Sequence, residues 1–335
     1  FKTKSKYGNT SLYIKAIICM SIVACSYLLI MSGIFSTDTF WGICILITLC
    51  ITLAIGIVLV GFNVMHDASH LSFFKNKEHN ILLSQFLDHI HGAFFANWRT
   101  KHVYMHHTNP NVDGEDDDIA TGNLLMLHPH NQWKPIHRYQ HIYAFFLYTL
   151  LYFTWVFYAD FKKFYSRKIL NRDMEKSTRR EIVSFYTSKL SYGVLYIALP
   201  LMKFSFVEWL VGFLIFGGTI GLLLSIVFQL AHVNTYCAFT TLEERGFDIK
   251  AHQVRSTVDF ATQNKVVTWL LGGLNFQVIH HLFPGVSHVH YPKMQQEVSR
   301  IIKEYNLTYH DLSLHEAFMS HLHYLKKMGT LQNIP

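Results

Sequence analysis

Apolar residues in this 335-residue chain are gathered into long runs rather than spaced along amphipathic faces. Residues 11–34 carry Lys15 as their only charge, residues 40–65 carry none, and residues 207–233 have only Glu208, near their start. A hydrocarbon core of roughly 30 Å takes about 20 helical residues to cross, so each run is long enough to span a membrane. Two further apolar segments, 141–158 and 190–202, lie between the second run and the last. The short stretch 203–206 makes 190–202 and the final run a natural hairpin. A secretory signal peptide is the competing reading of the first run, but the run is long, has no small-x-small cleavage site and is followed at once by another span.

Composition agrees with a membrane protein. Half of the residues are hydrophobic and only 15% are charged, against about a quarter in ordinary soluble domains. The flank before the first run holds Lys2, Lys4 and Lys6, whereas the loop 35–39 has no Lys or Arg. By the positive-inside rule the N-terminus faces the cytoplasm and that loop lies outside. The net charge of +7 is concentrated beside the spans, notably at 162–180, without a nucleic-acid motif. Membrane headgroups or an anionic substrate fit it better. The five cysteines are odd in number, lack a Cys-x-x-Cys pair and lie mostly inside the first two runs. They read as small buried hydrophobes.

Histidine clusters follow the ends of the apolar runs. The second run leads directly into His66-x-x-x-His70, the last ends at His232, and two further clusters are His102-x-x-x-His106-His107 and Gln277-x-x-His280-His281. Residues at i and i+4 share a helical face, so His102 and His106 are expected to converge on one ion, with His107 turned about 100° away toward a second. Eight histidines and a glutamine are about enough for two adjacent transition-metal ions, since a single catalytic zinc takes three protein ligands. Such nitrogen-rich coordination suits Fe, Cu, Zn or Ni alike. If all clusters share one site they lie on one side of the membrane, so the chain between them crosses an even number of times. That leaves 143–158 as an interfacial or substrate-lining helix.

Other candidates carry less. Asp67 is a candidate to orient a ligand imidazole, with capping or solvation as the equal alternative. Asn109-x-Asn111-x-Asp113-Gly114 starts like a calcium loop but has Ala120 where a bidentate Glu is needed. Asp116, Asp117 and Asp118 read as a helix start or solvated turn. The remaining histidines, His128, His130, His288 and His290 among them, read as surface or hydrogen-bonding residues. Gly217 and Gly221 form a close-packing Gly-x-x-x-Gly pair.

With these motifs in place, the chain resembles the membrane fatty acyl desaturases, whose three histidine boxes it carries as His66-x-x-x-His70, His102-x-x-x-His106-His107 and Gln277-x-x-His280-His281. The resemblance covers most of the chain from about 60 to 292, including 98–119, 133–142 and 272–284. Gln277, in place of the first histidine of the third box, resembles the front-end subgroup, which inserts a double bond between an existing one and the carboxyl end. Many front-end members carry a fused cytochrome b5-like domain with a His-Pro-Gly-Gly motif; that motif is absent from these residues, which begin at Phe1 rather than Met.

The resemblance implies a single all-α membrane domain over 1–335. Its four spans are at about 12–34, 40–64, 188–203 and 207–231, arranged as two hairpins, and a cytosolic cap of 65–187 and 232–335 holds the metals. It implies two Fe ions held by His66, His70, His102, His106, His107, His232, His280 and His281, with Gln277 a further candidate. It implies O2 as oxidant, a fatty acyl-CoA or acyl-lipid substrate, and a separate ferredoxin or cytochrome b5-type electron donor. No haem, flavin or nicotinamide fingerprint is present. The active site is expected on the cytoplasmic face of a bacterial inner membrane or the endoplasmic reticulum. Arg99, Lys101, Lys134 and Arg138 are candidates to hold an anionic headgroup, and Trp98, Trp269 and Phe276 to line the acyl path. The same boxes suit an alkane, sterol or carotenoid hydroxylase. A histidine-rich metal transporter would need polar groups within its spans, which these runs lack.

Overall fold

The computed structural model describes residues 5–331; Lys2 and Lys4 of the basic flank and the last residues of the cap lie outside them. Five helices among the described residues are long and apolar enough to cross a membrane: α1 (Thr10–Ser32), α2 (Phe40–Ser69), α5 (Pro135–Ser166), α6 (Arg179–Leu201) and α7 (Phe206–His232). Between α2 and α5 lie α3 (Lys77–His91) and α4 (Phe95–Arg99). The cap that follows α7 contains α8 (Ile249–Arg255), α9 (Gln277–Leu282), α10 (Tyr291–Glu304) and α11 (Leu314–Thr330). Strands are short: Lys168–Ile169 pairs with Arg172–Asp173 between α5 and α6, and Asp259–Phe260 pairs with Asp311–Leu312 in the cap after α7.

Local chemistry sets the helix ends. The Asn9 side chain accepts from Leu12 N–H at the start of α1, and Gly33 closes that helix in the left-handed region at φ 77. Thr39 caps α2, while Thr178 with Glu181 and Ser205 with Glu208 form capping boxes for α6 and α7. Apolar residues such as Ile17, Trp41 and Met202 stand exposed on these helices, a surface suited to lipid rather than water.

The bundle is held by close helix contacts. α2 packs on α1 and α7, and α7 packs along α5. Gly221 permits the last of these, because a Cβ there would fall 2.5 Å from the Tyr148 carbonyl oxygen of α5. The turns joining α1 to α2 and α6 to α7 meet: Lys203 lies against Gly33, and Glu208 lies close to Thr37. At the other end of α6, Arg180 pairs with Glu78 of the amphipathic α3.

Both ends of α5 are tied to one stretch of the cap, 115–126. At its start Tyr143 donates to Leu124 O (2.8 Å), and Gln140 accepts from Met126 N–H (2.8 Å). Near its end Lys163 pairs with Asp117 (2.5 Å), and just beyond it Arg172 pairs with Glu115.

Candidate metal centre

The first box rides on α2 itself. After Val60 the helix loosens into a π-helical turn, Gly61–Met65, and then tightens through His66–Ser69, so the apolar span delivers two imidazoles without an intervening loop. π-helical turns inside helices often mark functional sites. The second box has the same device. α4 runs into a π-helical turn, Thr100–His106, in which His107 N–H bonds to His102 O.

The i, i+4 pair His102 and His106 does come together, within reach of one ion with Asp118, but the winding also brings His107 to His102 instead of turning it away. In the structure the wider turn brings residue i+5 back over residue i, and His107 Nε2 lies 3.3 Å from His102 Nε2. His102 joins His66, His70 and His280, while His106 joins His232 and His281, the candidate ligand atoms in each group lying within 4.8 Å of one another. His107 stands between the groups, its ring centroid 4.5 Å from that of His280 and 4.3 Å from that of His281.

All eight histidines are buried. Among the described residues, His66 Nε2, His70 Nε2, His107 Nδ1, His280 Nε2 and both ring nitrogens of His232 and His281 have no hydrogen-bond partner. So many buried ring nitrogens without partners, converging at one place, would be costly in a core built for stability alone, and they fit bound metal. Burial first, and then the neighbouring imidazoles, hold His102, His107, His280 and His281 well below the usual histidine range. These rings are therefore neutral, the form that ligates. Gln277 is buried beside them, and its amide also lacks a partner.

The partners behind the imidazoles differ from those expected. Asp67 faces Ser287 Oγ (2.6 Å) and His288 Nδ1 (3.1 Å), not the free nitrogen of a box histidine. Orientation of the box rings falls to two other residues. Asp116 takes His106 Nδ1 at 3.0 Å, and the Tyr291 hydroxyl lies 3.1 Å from His280 Nδ1. Burial opposes charge at His106, but the Asp116 carboxylate outweighs it and moves the ring up. Asp116 is 1% exposed, so it is no solvated turn residue, and Asp118 lies close enough to His102 and His106 to share a metal with them. The acidic run shortly after the second box was the visible signal for both. Tyr291 and His288 gave none, because nothing in their spacing ties them to a box.

Other histidines keep hydrogen-bonding roles. His91 bonds the carbonyls of Leu87 and Ile57, His252 that of Pro110, and His321 that of Val233.

The headgroup candidates separate. Lys101 is engaged by Asp118 (2.7 Å) and Asp117 (3.3 Å). Burial works against its charge, but those carboxylates prevail and raise it above the usual lysine range. It therefore braces the acidic segment instead of offering a cation to substrate. Arg99 lies over the Tyr104 ring at 5.4 Å and Arg138 over Trp133 at 5.5 Å. Lys134 and Arg138 are exposed at the start of α5, where Trp133 donates to Gly329 O of α11.

Two openings reach the histidines. A narrow cavity of about 50 Å³, lined by Ile57, Phe62, Met65, Tyr152, Trp155, Leu224 and Phe228 among others, ends on His66 and Trp98. Trp98 stacks on His102 with ring centroids 4.4 Å apart. Of the predicted lining residues Trp98 is there, as are Tyr152 and Trp155 from 143–158. Phe276 is instead packed in the apolar cluster beneath α9, and Trp269 is half-exposed beside Lys15. From the cap side, an open cleft of about 600 Å³ bordered by Val103, Thr108, Lys250, Gln253 and Pro284 reaches His107 and His281.

A family profile described as fatty acid desaturase matches residues 39–313. The chain belongs to the fatty acid desaturase family. It is an integral membrane oxidoreductase with a buried histidine metal centre, and desaturation of fatty acyl chains is its activity. It is 30% identical to the sn-1 linoleoyl-lipid 6-desaturase of Arthrospira platensis over 332 residues, covering 97% of this chain and 88% of that protein. It is 32% identical to the protein of the same name in Synechocystis sp., covering 84% and 79%. It is 33% identical to acyl-lipid (8-3)-desaturase B of Dictyostelium discoideum, covering 88% of this chain and 66% of that one.

Proposed function

We propose that this desaturase acts on acyl chains carried by a membrane lipid, inserting a cis double bond on the carboxyl side of an existing one, with two iron ions held by the eight box histidines. The observation that carries the reading is the position of the two imidazole groups, set between a narrow apolar cavity rising through the bundle and a wider, open cleft in the cap. An acyl chain threaded past both would have its methyl end among Ile57, Tyr152 and Trp155 and its headgroup side toward Lys250. The names of the relatives, lipid-linked 6- and (8-3)-desaturases, support the acyl-lipid carrier and the front-end position.

Removing hydrogen from unactivated methylenes exceeds what any side chain can do, and iron with O2 supplies that oxidising power when bound. The residues of this chain do the rest. The neutral imidazoles present lone pairs, Asp116 and Tyr291 fix the rings of His106 and His280, and Trp98, Phe228 and Met65 keep water from the substrate side. Electrons come from a separate ferredoxin or cytochrome b5-type protein.

A four-span arrangement with the metals on the cytoplasmic side fits these contacts. The fastening of both ends of α5 to 115–126 supports a helix that lies along the bundle without crossing. That leaves α1, α2, α6 and α7 as the crossings, with their two turns together on the far side.

Expression in a host supplied with defined fatty acids, followed by gas chromatography with double-bond location, tests the function. Wild type is expected to yield a new polyunsaturated acyl lipid, and His106→Ala none. A metal-loaded wild type that gives no unsaturated product, or a hydroxylated one, overturns the reading. Two irons per chain are expected, and a single one overturns the paired centre.

A further inference from the structure

The one charge of the first membrane helix has no part in the function described above. Lys15 is 6% exposed within α1, and a buried ammonium is costly unless it is paired. Its Nζ lies 3.4 Å from His288 Nε2 and 5.0 Å from the centroid of the Trp269 ring. On the other side of the same imidazole, Nδ1 is 3.1 Å from Asp67 Oδ1, a charge contact without hydrogen-bond alignment, and the His288 backbone N–H donates to that oxygen at 3.4 Å. An ammonium only donates, so Nε2 accepts and the ring proton sits on Nδ1, facing the carboxylate. Lys15 and Asp67 thus flank one imidazole, the first by a hydrogen bond and the second by an electrostatic contact. Ser287 Oγ donates to the second carboxylate oxygen at 2.6 Å.

The elements joined in this way are those of the first metal group. Asp67 follows His66 directly on α2. Its backbone oxygen accepts from Ser72 N–H (2.9 Å) and Ser72 Oγ (3.0 Å), closing the turn that holds His70. Three residues beyond His288, the Tyr291 hydroxyl reaches His280 Nδ1. His288 fits closely above Gly273, whose φ of 71 and missing side chain leave room: a Cβ there would come within 2.8 Å of His288 Cβ. The segment 287–291 thus clasps the first box on one side and the third on the other.

We propose that Lys15 is a positioning residue for the group of His66, His70, His102 and His280, acting through His288 and Asp67. Its charge offsets the carboxylate buried beside His66 and fixes the His288 tautomer, so the first and third boxes keep their register. Without it, the end of α2 relaxes away from α9. The group of His106, His232 and His281 is held by Asp116 and is not in contact with this line.

The proposal rests on the metal-centre reading, and the test separates the two. Wild type, Lys15→Met, Lys15→Arg and Lys15→Met/Asp67→Asn are purified in detergent and titrated with Fe(II) anaerobically. Bound metal is measured by plasma mass spectrometry and folding by thermal unfolding. Wild type is expected to take two metals. Lys15→Met keeps one at wild-type affinity and binds the other about 10- to 100-fold more weakly, the loss typical of an outer partner. Lys15→Arg, which retains the charge, recovers most of that affinity. The double variant recovers part of it, because the uncompensated carboxylate is gone. Two metals at wild-type affinity in Lys15→Met overturn the proposal. So does equal weakening of both metals with a lowered unfolding temperature and no recovery in the double variant, which would make Lys15 a packing residue. A wild type that binds fewer than two metals overturns the metal-centre reading and this proposal with it.

Discussion

In the group of His66, His70, His102 and His280, the rings are backed by a phenol at His280 and by the stacked Trp98 at His102, and they look toward an apolar cavity. The group of His106, His232 and His281 borders the acidic segment of the cap, with Asp116 directly on His106 and Asp118 within reach. A carboxylate behind a ligand imidazole pins the ring and raises its basicity, whereas a phenol or indole mainly orients it. Two metals bound here are therefore inequivalent. An ion on the acidic side would have the more strongly donating ligand set, and one on the other side would face the apolar cavity.

Deleting a ligand from each side should have the largest effect. His280→Ala and His281→Ala are neighbours on α9 yet belong to different groups. Each is expected to abolish product, a loss on the order of a thousandfold or more, beyond the 10- to 100-fold typical of outer partners. The metals should separate them: each variant retains one tightly bound ion, and anaerobic competition with a chelator should show the ion kept in His280→Ala to be the tighter. Identical chelator profiles would remove the inequivalence.

Changing the partners while keeping the ligands is the next step down. Asp116→Asn keeps the size of the side chain but removes the charge on His106, and a 10- to 100-fold loss of turnover or metal affinity is expected. Because Asp116 also accepts from the backbone N–H of Asn111 (2.8 Å) and Asp118 (3.0 Å), unfolding temperature is measured alongside. Tyr291→Phe removes only a neutral partner and should cost about tenfold or less. Equal losses in the two variants would mean that charge is not what distinguishes the groups.

These two sides were unequally legible in the sequence. The box histidines stand out because a helix turns sequence spacing into spatial proximity, and the apolar runs mark the bundle by the same local logic. The pairing of His102 with His107 did not, because it depends on a π-helical turn that no residue type in 100–106 announces. Asp116 was visible but misread, since a carboxylate near a box resembles an ordinary turn until its burial is known. Tyr291, His288 and Lys15 act across 11, 221 and 273 residues of chain, and such contacts exist only once the elements are packed.

A substitution in the bundle that touches neither group should weaken both alike. Gly221→Val places branched carbons against the Tyr148 carbonyl, where a Cβ would already lie 2.5 Å away. Forcing α5 from α7 is expected to cost about 1–3 kcal/mol. Thermal unfolding in detergent should show it as a lowered midpoint while metal stoichiometry stays at the wild-type value. Loss of one metal in preference to the other would mean that α5 supports one group more than its partner.

The last effect is a pH dependence at α9, which carries a ligand to each group. Asp259 Oδ1 accepts from Val278 N–H (2.7 Å) in its first turn, and Oδ2 accepts from the Tyr309 hydroxyl (2.6 Å). Burial pushes the Asp259 carboxyl up to about 8; its bonds from Tyr309 and Val278 oppose the shift, and nearby Asp311 adds to it. In the unfolded chain the same group titrates near 3.9. Between about pH 4 and pH 8 the folded protein therefore holds a proton that the unfolded chain has lost. Stability from this group is full below about pH 4 and declines as pH rises through 8, at up to about 1.4 kcal/mol per pH unit. Asp259→Asn retains an oxygen for Val278 and removes the titration. Unfolding midpoints from pH 5 to 8 should fall less steeply in the variant than in wild type, with both metals released together at the alkaline end. An unchanged slope would show that the cap of α9 is ionised throughout and that pH acts on the two groups elsewhere.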